Sequence, residues 1–229
     1  MSFIRQRGAS LSMVVLVLLG TLLMQGAISY STTFGRLDAF IRVPGVSHGL
    51  LPTAWLIARA AAMTLVVGLW LLDRKSHLFK AMIAMNVLLM LGLFMNLTAL
   101  ANTLLGITST AIDVLLVDIV LMVVTNILIF SIWYWVIDPP GVEETQRFAE
   151  PWDFLFPQRG SELPGYQNWL PRYTDYLYLA FTTSFAFSPT DTLPLTRRAK
   201  MLMLLQSTIS LVTLTGIAGA AINILAGGS

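Results

Sequence analysis

Apolar and polar positions alternate along this chain in long blocks, with no short period. Five apolar runs, Leu11–Tyr30, Leu50–Leu72, Ala81–Leu104, Ala111–Ile137 and Met201–Leu225, are separated by more polar segments of varied length. Each run is near or above the roughly 20 residues that a helix needs to cross a hydrocarbon core of about 30 Å. In lipid every backbone N–H and C=O must be satisfied within the protein, so runs of this kind are expected to be helices. The pattern predicts an all-α integral membrane helical bundle of about five transmembrane helices. A sixth apolar stretch, Tyr173–Phe187, is too short for a comfortable span. It is expected as a re-entrant or interfacial helix, with a thin sixth crossing as the alternative.

Between the fourth and fifth runs lies the one long hydrophilic stretch. It holds Pro139, Pro140, Pro151, Pro157, Pro164 and Pro171, with Trp152, Phe154, Phe156, Tyr166 and Trp169 among them. Proline at this density excludes a long helix. Aromatic residues beside helix ends suggest a segment at headgroup level. The chain thus reads as one transmembrane domain in three parts: a four-helix part, 1–137; a Pro/aromatic-rich interfacial segment, 138–172; and a helical hairpin, 173–229.

Composition agrees, with 56% hydrophobic and 11% charged residues. The net charge of +2 gives no reason to expect a nucleic-acid partner. Cysteine is absent, which removes disulfides, thiolate metal sites and Cys nucleophiles. The two histidines, His48 and His77, flank helices, so a buried His-ligated metal or haem is not expected, and no cofactor is. No phosphate loop, hydrolase elbow or other catalytic constellation stands out, and the chain does not read as an enzyme.

The basic residues set an orientation. With the N-terminus in the cytoplasm, eleven of the 14 fall inside: Arg5, Arg7, Arg74, Lys75, Lys80, Arg147, Arg159, Arg172, Arg197, Arg198 and Lys200. Arg36 and Arg42 fall outside. The expected location is a cytoplasmic (inner) membrane, multi-pass, with a cytoplasmic N-terminus. Arg5 and Arg7 before an apolar run, with Gly26, Ala27 and Ser29 after it, also resemble a signal peptide. The run is long for one, and a retained first helix is expected.

Polar residues inside the apolar runs are the candidate chemistry. Arg59 sits mid-way along the second run, and Asp113 and Asp118 lie on the fourth. Arg59 and Asp118 are each about 12 Å past the start of their runs, on the same side of the membrane, and are expected to pair. Such a pair either fixes helix packing or serves a proton or ion relay. Asn86, Asn96, Asn102, Asn126 and Gln206 are expected mostly as interhelical hydrogen bonds. In the last run Gly216, Gly219, Ala220 and Ala221 form a smooth surface for close helix approach, within the chain or between copies in a homo-oligomer.

The C-terminal part has a distinctive order. A short aromatic helix runs into Phe181-Thr182-Thr183. An irregular stretch, Ser184–Thr190, follows, then Asp191-Thr192-Leu193-Pro194-Leu195-Thr196, a basic cluster and a long helix. This layout resembles the pore helix, filter and inner helix of potassium channels, with Asp191, Pro194 and Thr196 matching their post-filter Asp-x-x-Pro-x-Thr run. Ala111–Ile137 then corresponds to the outer helix. The stretch is also similar to a family of uncharacterised bacterial multi-pass membrane proteins. The resemblance covers about a quarter of the chain. It implies permeation of a monovalent ion, with Thr182, Thr183, Ser184, Ser188, Pro189, Thr190 and Asp191 at the path. Two features depart from it. The filter positions Phe187-Ser188-Pro189-Thr190 carry no glycine, so the alternating left-handed backbone of a K⁺ filter is not expected. The basic residues also place the hairpin on the cytoplasmic side, whereas the channel loop enters from outside. Alternatives are a non-conducting structural or accessory membrane protein, or a small proton-linked transporter using Arg59 and Asp118.

Overall fold

The structure, a computed structural model, describes residues 8–31, 50–72, 75–104, 112–138, 152–159, 165–166, 169–186 and 191–227. Helices account for most of them. In chain order they are α1 (Gly8–Ser31), α2 (Leu50–Leu71), α3 (Lys75–Leu104), α4 (Ile112–Ile137), α5 (Tyr173–Ala186) and α6 (Arg197–Gly227). Two short strands, β1 (Phe154–Leu155) and β2 (Leu193–Pro194), pair antiparallel with Phe154 opposite Pro194 and Leu155 opposite Leu193. The apolar runs predicted the helices; this small sheet was not foreseen.

Among the described residues three helical stretches are long and apolar enough to cross a membrane: His77–Asn102, Leu116–Ile137 and Arg197–Gly216. The apolar stretches Ser12–Gln25 and Ala60–Leu71 are shorter. The expectation of about five spans is thus met for three of them by length and composition. Apolar side chains also cover the outside of the bundle. Leu16, Leu23, Leu65, Leu91, Val117 and Leu211 are all more than half exposed. A bundle apolar on both its inner and outer surfaces fits a lipid surrounding better than water.

α4 is the central helix, packed against α1, α3, α5 and α6. Its partners fix the direction of the others. Asn86 of α3 meets Ile129 of α4, while Leu100 of α3 clusters with Ile119 and Met122, so α3 runs antiparallel to α4. Arg198 of α6 meets the Ile137 carbonyl, Ser210 meets Asn126, and Gly216 lies against Ile119, so α6 is antiparallel to α4 as well. A Cβ on Gly216 would stand 3.2 Å from Leu100 Cδ2, which explains the glycine there. This part of the small-residue surface therefore packs inside the chain.

α5 is the exception to the up-and-down pattern. Its 14 residues span only about 21 Å, short of a bilayer core. Tyr176, in its first turn, bonds Asp138 at the C-terminal end of α4, and Ala180 and Ser184 reach Gln206, about 12 Å along α6 from Arg198. By Leu193 the chain has come back, because β2 pairs with β1 beside Asp138. α5 therefore enters from the Asp138 end of the bundle, and the chain returns to that end before α6 begins. The return spans residues 186 to 197, and eleven steps of extended chain reach about 36 Å, ample for the distance. α5 takes in Ser184 to Ala186, the first part of the stretch expected to be irregular, and residues 187–190 lie outside the described ones.

Local chemistry explains the element ends around this turn. Asp175 accepts the Arg172 N–H at 2.6 Å, as an acidic residue in the first turn of a helix commonly does. Thr196 caps α6, its hydroxyl accepting the Ala199 N–H at 3.3 Å. α4 stops at Asp138, followed in sequence by Pro139 and Pro140, which cannot donate to a further turn.

Candidate functional site

Two polar clusters lie in the C-terminal half, one at the Asp138 end of the bundle and one in its interior. The first is built on two buried carboxylates. The side chain of Asp138 is fully buried and accepts five hydrogen bonds. Its Oδ1 takes the backbone N–H groups of Asp153 (2.9 Å) and Phe154 (3.3 Å) and Arg159 Nη1 (3.3 Å). Its Oδ2 takes Arg159 Nη2 (2.8 Å) and the Tyr176 hydroxyl (2.6 Å). Arg159 is itself buried, donates to the Phe154 carbonyl at 2.7 Å and lies 4.7 Å above the Trp152 ring. Asp153, also fully buried, accepts the Thr196 hydroxyl and Arg198, whose Nη2 stands 2.6 Å from Oδ2.

The charges make electrostatic sense only when the segment 152–159 is in place. Asp138 alone would put a negative charge at the negative end of α4, and Arg198 alone a positive charge at the positive end of α6. The segment brings Arg159 to the first and Asp153 to the second. Phe154 and Phe156 then pack under it, ring against ring with Tyr134, Tyr176 and Trp169. The Pro/aromatic segment was expected at headgroup level. Within it Phe154 and Phe156 are buried against the bundle end.

The interior cluster centres on Gln206, which is fully buried. The Tyr134 hydroxyl donates to its Oε1, and its Nε2 donates to the Ala180 carbonyl (2.8 Å) and Ser184 Oγ (2.7 Å). Thr183 donates to the Leu179 carbonyl at 2.8 Å and also meets Tyr134. Nearby, Ser131 and Tyr173 share a hydrogen bond of 2.6 Å. One helix turn and more beyond, Asn126 donates to Ser210 (2.8 Å) and Asn86 to the Ile129 carbonyl (3.2 Å). Gln25 of α1 donates to the Leu89 carbonyl at 2.6 Å. The bonds of Asn86, Asn126 and Gln206 join different helices, as expected of polar residues in apolar runs.

The residues singled out in the sequence fall into three groups. Gln206, Thr183 and Ser184 come together in the interior cluster. Thr182 is half-buried, its hydroxyl bonded to the Leu179 carbonyl of its own helix, and Asp191 is exposed at the start of the return to β2. Ser188, Pro189 and Thr190 lie outside the described residues, as do the side chains of Arg59 and Asp113. The expected Arg59–Asp118 pair therefore also lies outside them. Asp118 is buried and has a polar partner. Asp138, Asp153, Arg159 and Arg198 were not singled out. Their charged partners stand 21 and 45 positions away, beyond any helical or strand period, and the available signal was a lone Asp closing an apolar run before two prolines.

Among the described residues no group of three or more His, Cys, Asp or Glu side chains is arranged to hold a metal. No known protein family, curated protein or solved structure matches the chain.

Proposed function

We propose that this chain is a multi-pass membrane protein whose C-terminal hairpin, α5 and the return to α6, borders a path for ions or small solutes between copies of the chain. The observation that carries the reading is the course of α5. A helix too short to span enters from one end of the bundle, and the chain comes back to the same end. Irregular backbone at membrane depth survives only when it is covered by protein or faces a water-filled cavity. α1 and α2, at 24 and 22 residues, bring the reading to five spans. The outer face of α6 offers a surface for copies to meet. Met201, Leu204, Thr208, Leu211, Thr215, Ala218 and Ile222 are exposed on it at alternating steps of three and four residues. This is the spacing of a helix–helix seam.

A second reading, a non-conducting structural or accessory membrane protein, is favoured by one observation. Thr183, Ser184 and Gln206 spend their polar groups on one another and on the backbone inside the bundle. Ion flux from purified protein in liposomes separates the two. The permeation reading expects flux that Pro189→Gly and Ser188→Trp both change. No flux across several ions and a range of voltage refutes it and leaves the accessory reading.

A further inference from the structure

The Asp138 end of the bundle carries a mixed apolar and cationic edge that neither cluster uses. In the short extended stretch Thr192–Leu195 alternate residues face opposite sides. Thr192 is buried and Thr196 bonds Asp153, so the return is fastened by that side. Leu193 (57% exposed) and Leu195 (44% exposed) face the other way, and Arg197, the first residue of α6, and Lys200, one turn on, are exposed just beyond them. A second segment of the same kind lies at the same end. Leu170 is 53% exposed and Arg172 exposed, just before Tyr173, while neighbouring Trp169 packs on Phe156. Both segments grip the loop that holds Asp138. The buried acids there, Asp138 and Asp153, are already neutralised by Arg159 and Arg198. Exposed Asp191 already has a polar partner.

We propose that Leu170, Leu193 and Leu195, with Arg172, Arg197 and Lys200, form a docking edge for the anionic phospholipids of the surrounding leaflet. Leucines projecting beside cations are what a headgroup boundary selects, the side chains entering the acyl layer while the cations meet phosphates. The charge complementarity singles out an anionic leaflet over a neutral one. The proposal rests on the membrane reading above and adds to it which residues engage which lipid. It also ties the entry point of α5 to the leaflet surface, since Arg172 stands immediately before that helix.

The test uses the full chain, purified in a neutral detergent and titrated with phosphatidylglycerol or phosphatidylcholine in mixed micelles. Apparent affinity is read from the shift in thermal unfolding. Wild type should prefer phosphatidylglycerol. Each cation near an anionic surface contributes about five-fold in affinity. The Arg172→Gln/Arg197→Gln/Lys200→Gln variant should therefore lose up to roughly 100-fold for the anionic lipid. It should unfold as wild type does in detergent alone, because the three side chains are exposed. Leu193→Asn/Leu195→Asn should weaken both lipids together. Inorganic phosphate at equal concentration should give no shift. An unchanged preference in the triple variant overturns the proposal, and so does an equal shift from phosphate alone, which would make the edge a site for free anions. Alkaline carbonate extraction of native membranes tests the membrane reading separately. Protein that stays in the membrane yet shows no lipid preference sinks the docking edge alone.

Discussion

Replacing Arg159 with methionine removes the cation from a carboxylate that cannot reach water. Asp138 keeps the Asp153 and Phe154 N–H groups and the Tyr176 hydroxyl and loses two charge-assisted bonds, at 2.8 and 3.3 Å. Breaking one side of a buried ion pair costs about 3–5 kcal/mol, most of it from the stranded charge and not from the lost attraction. Methionine fills similar volume against Trp152 and Phe156, so little of that cost comes from a cavity. Adding Asp138→Asn should recover part of the loss, because the neutral amide removes the stranded charge. The two changes should couple by about 1–3 kcal/mol. Unfolding of purified protein in mixed micelles of increasing SDS fraction, followed by tryptophan fluorescence, measures all three variants. Arg159→Met within about 1 kcal/mol of wild type would put the pair on a par with solvent-exposed ones and refute the reasoning.

Other perturbations address the interior. Gln206→Leu leaves the Tyr134 and Ser184 hydroxyls without their amide partner and should cost about 1–2 kcal/mol, with Tyr134→Phe restoring part of it in the same background. Equal losses in the single and double variants would show that Tyr134 finds another acceptor. At Gly92 a Cβ would stand 2.7 Å from Gln25 Nε2, which is held on the Leu89 carbonyl. Gly92→Ala should therefore cost about 1–3 kcal/mol by the same assay, and Gln25→Ala should make it nearly neutral. Strict additivity of the two would mean that the amide moves aside freely.

The sequence made the helices legible and their mutual arrangement only in part. Block-wise apolarity located α1 to α4 and α6, because these helices are apolar on outer as well as inner faces. The brevity of the run at Tyr173, with Pro189 beyond it, marked α5 as a helix that stops early. Interior amides such as Asn126 and Gln206 announced themselves as polar residues in apolar runs. The clamp at Asp138 did not, because its charges lie at the ends of apolar runs or in the polar stretch between them, where a charge is unremarkable. The end of the bundle from which α5 enters, and to which the chain comes back after it, was also open until Tyr176 and β2 were seen at the same end.

The course of α5 is the claim on which the rest depends, and the absence of cysteine makes it directly measurable. Arg172→Cys, Leu195→Cys and Asn102→Cys, made singly, can be labelled in sealed vesicles with a membrane-impermeant thiol reagent. The account predicts that Arg172→Cys and Leu195→Cys label from one side and Asn102→Cys from the other. Labelling of Arg172→Cys and Leu195→Cys from opposite sides would make α5 a crossing helix and contradict it.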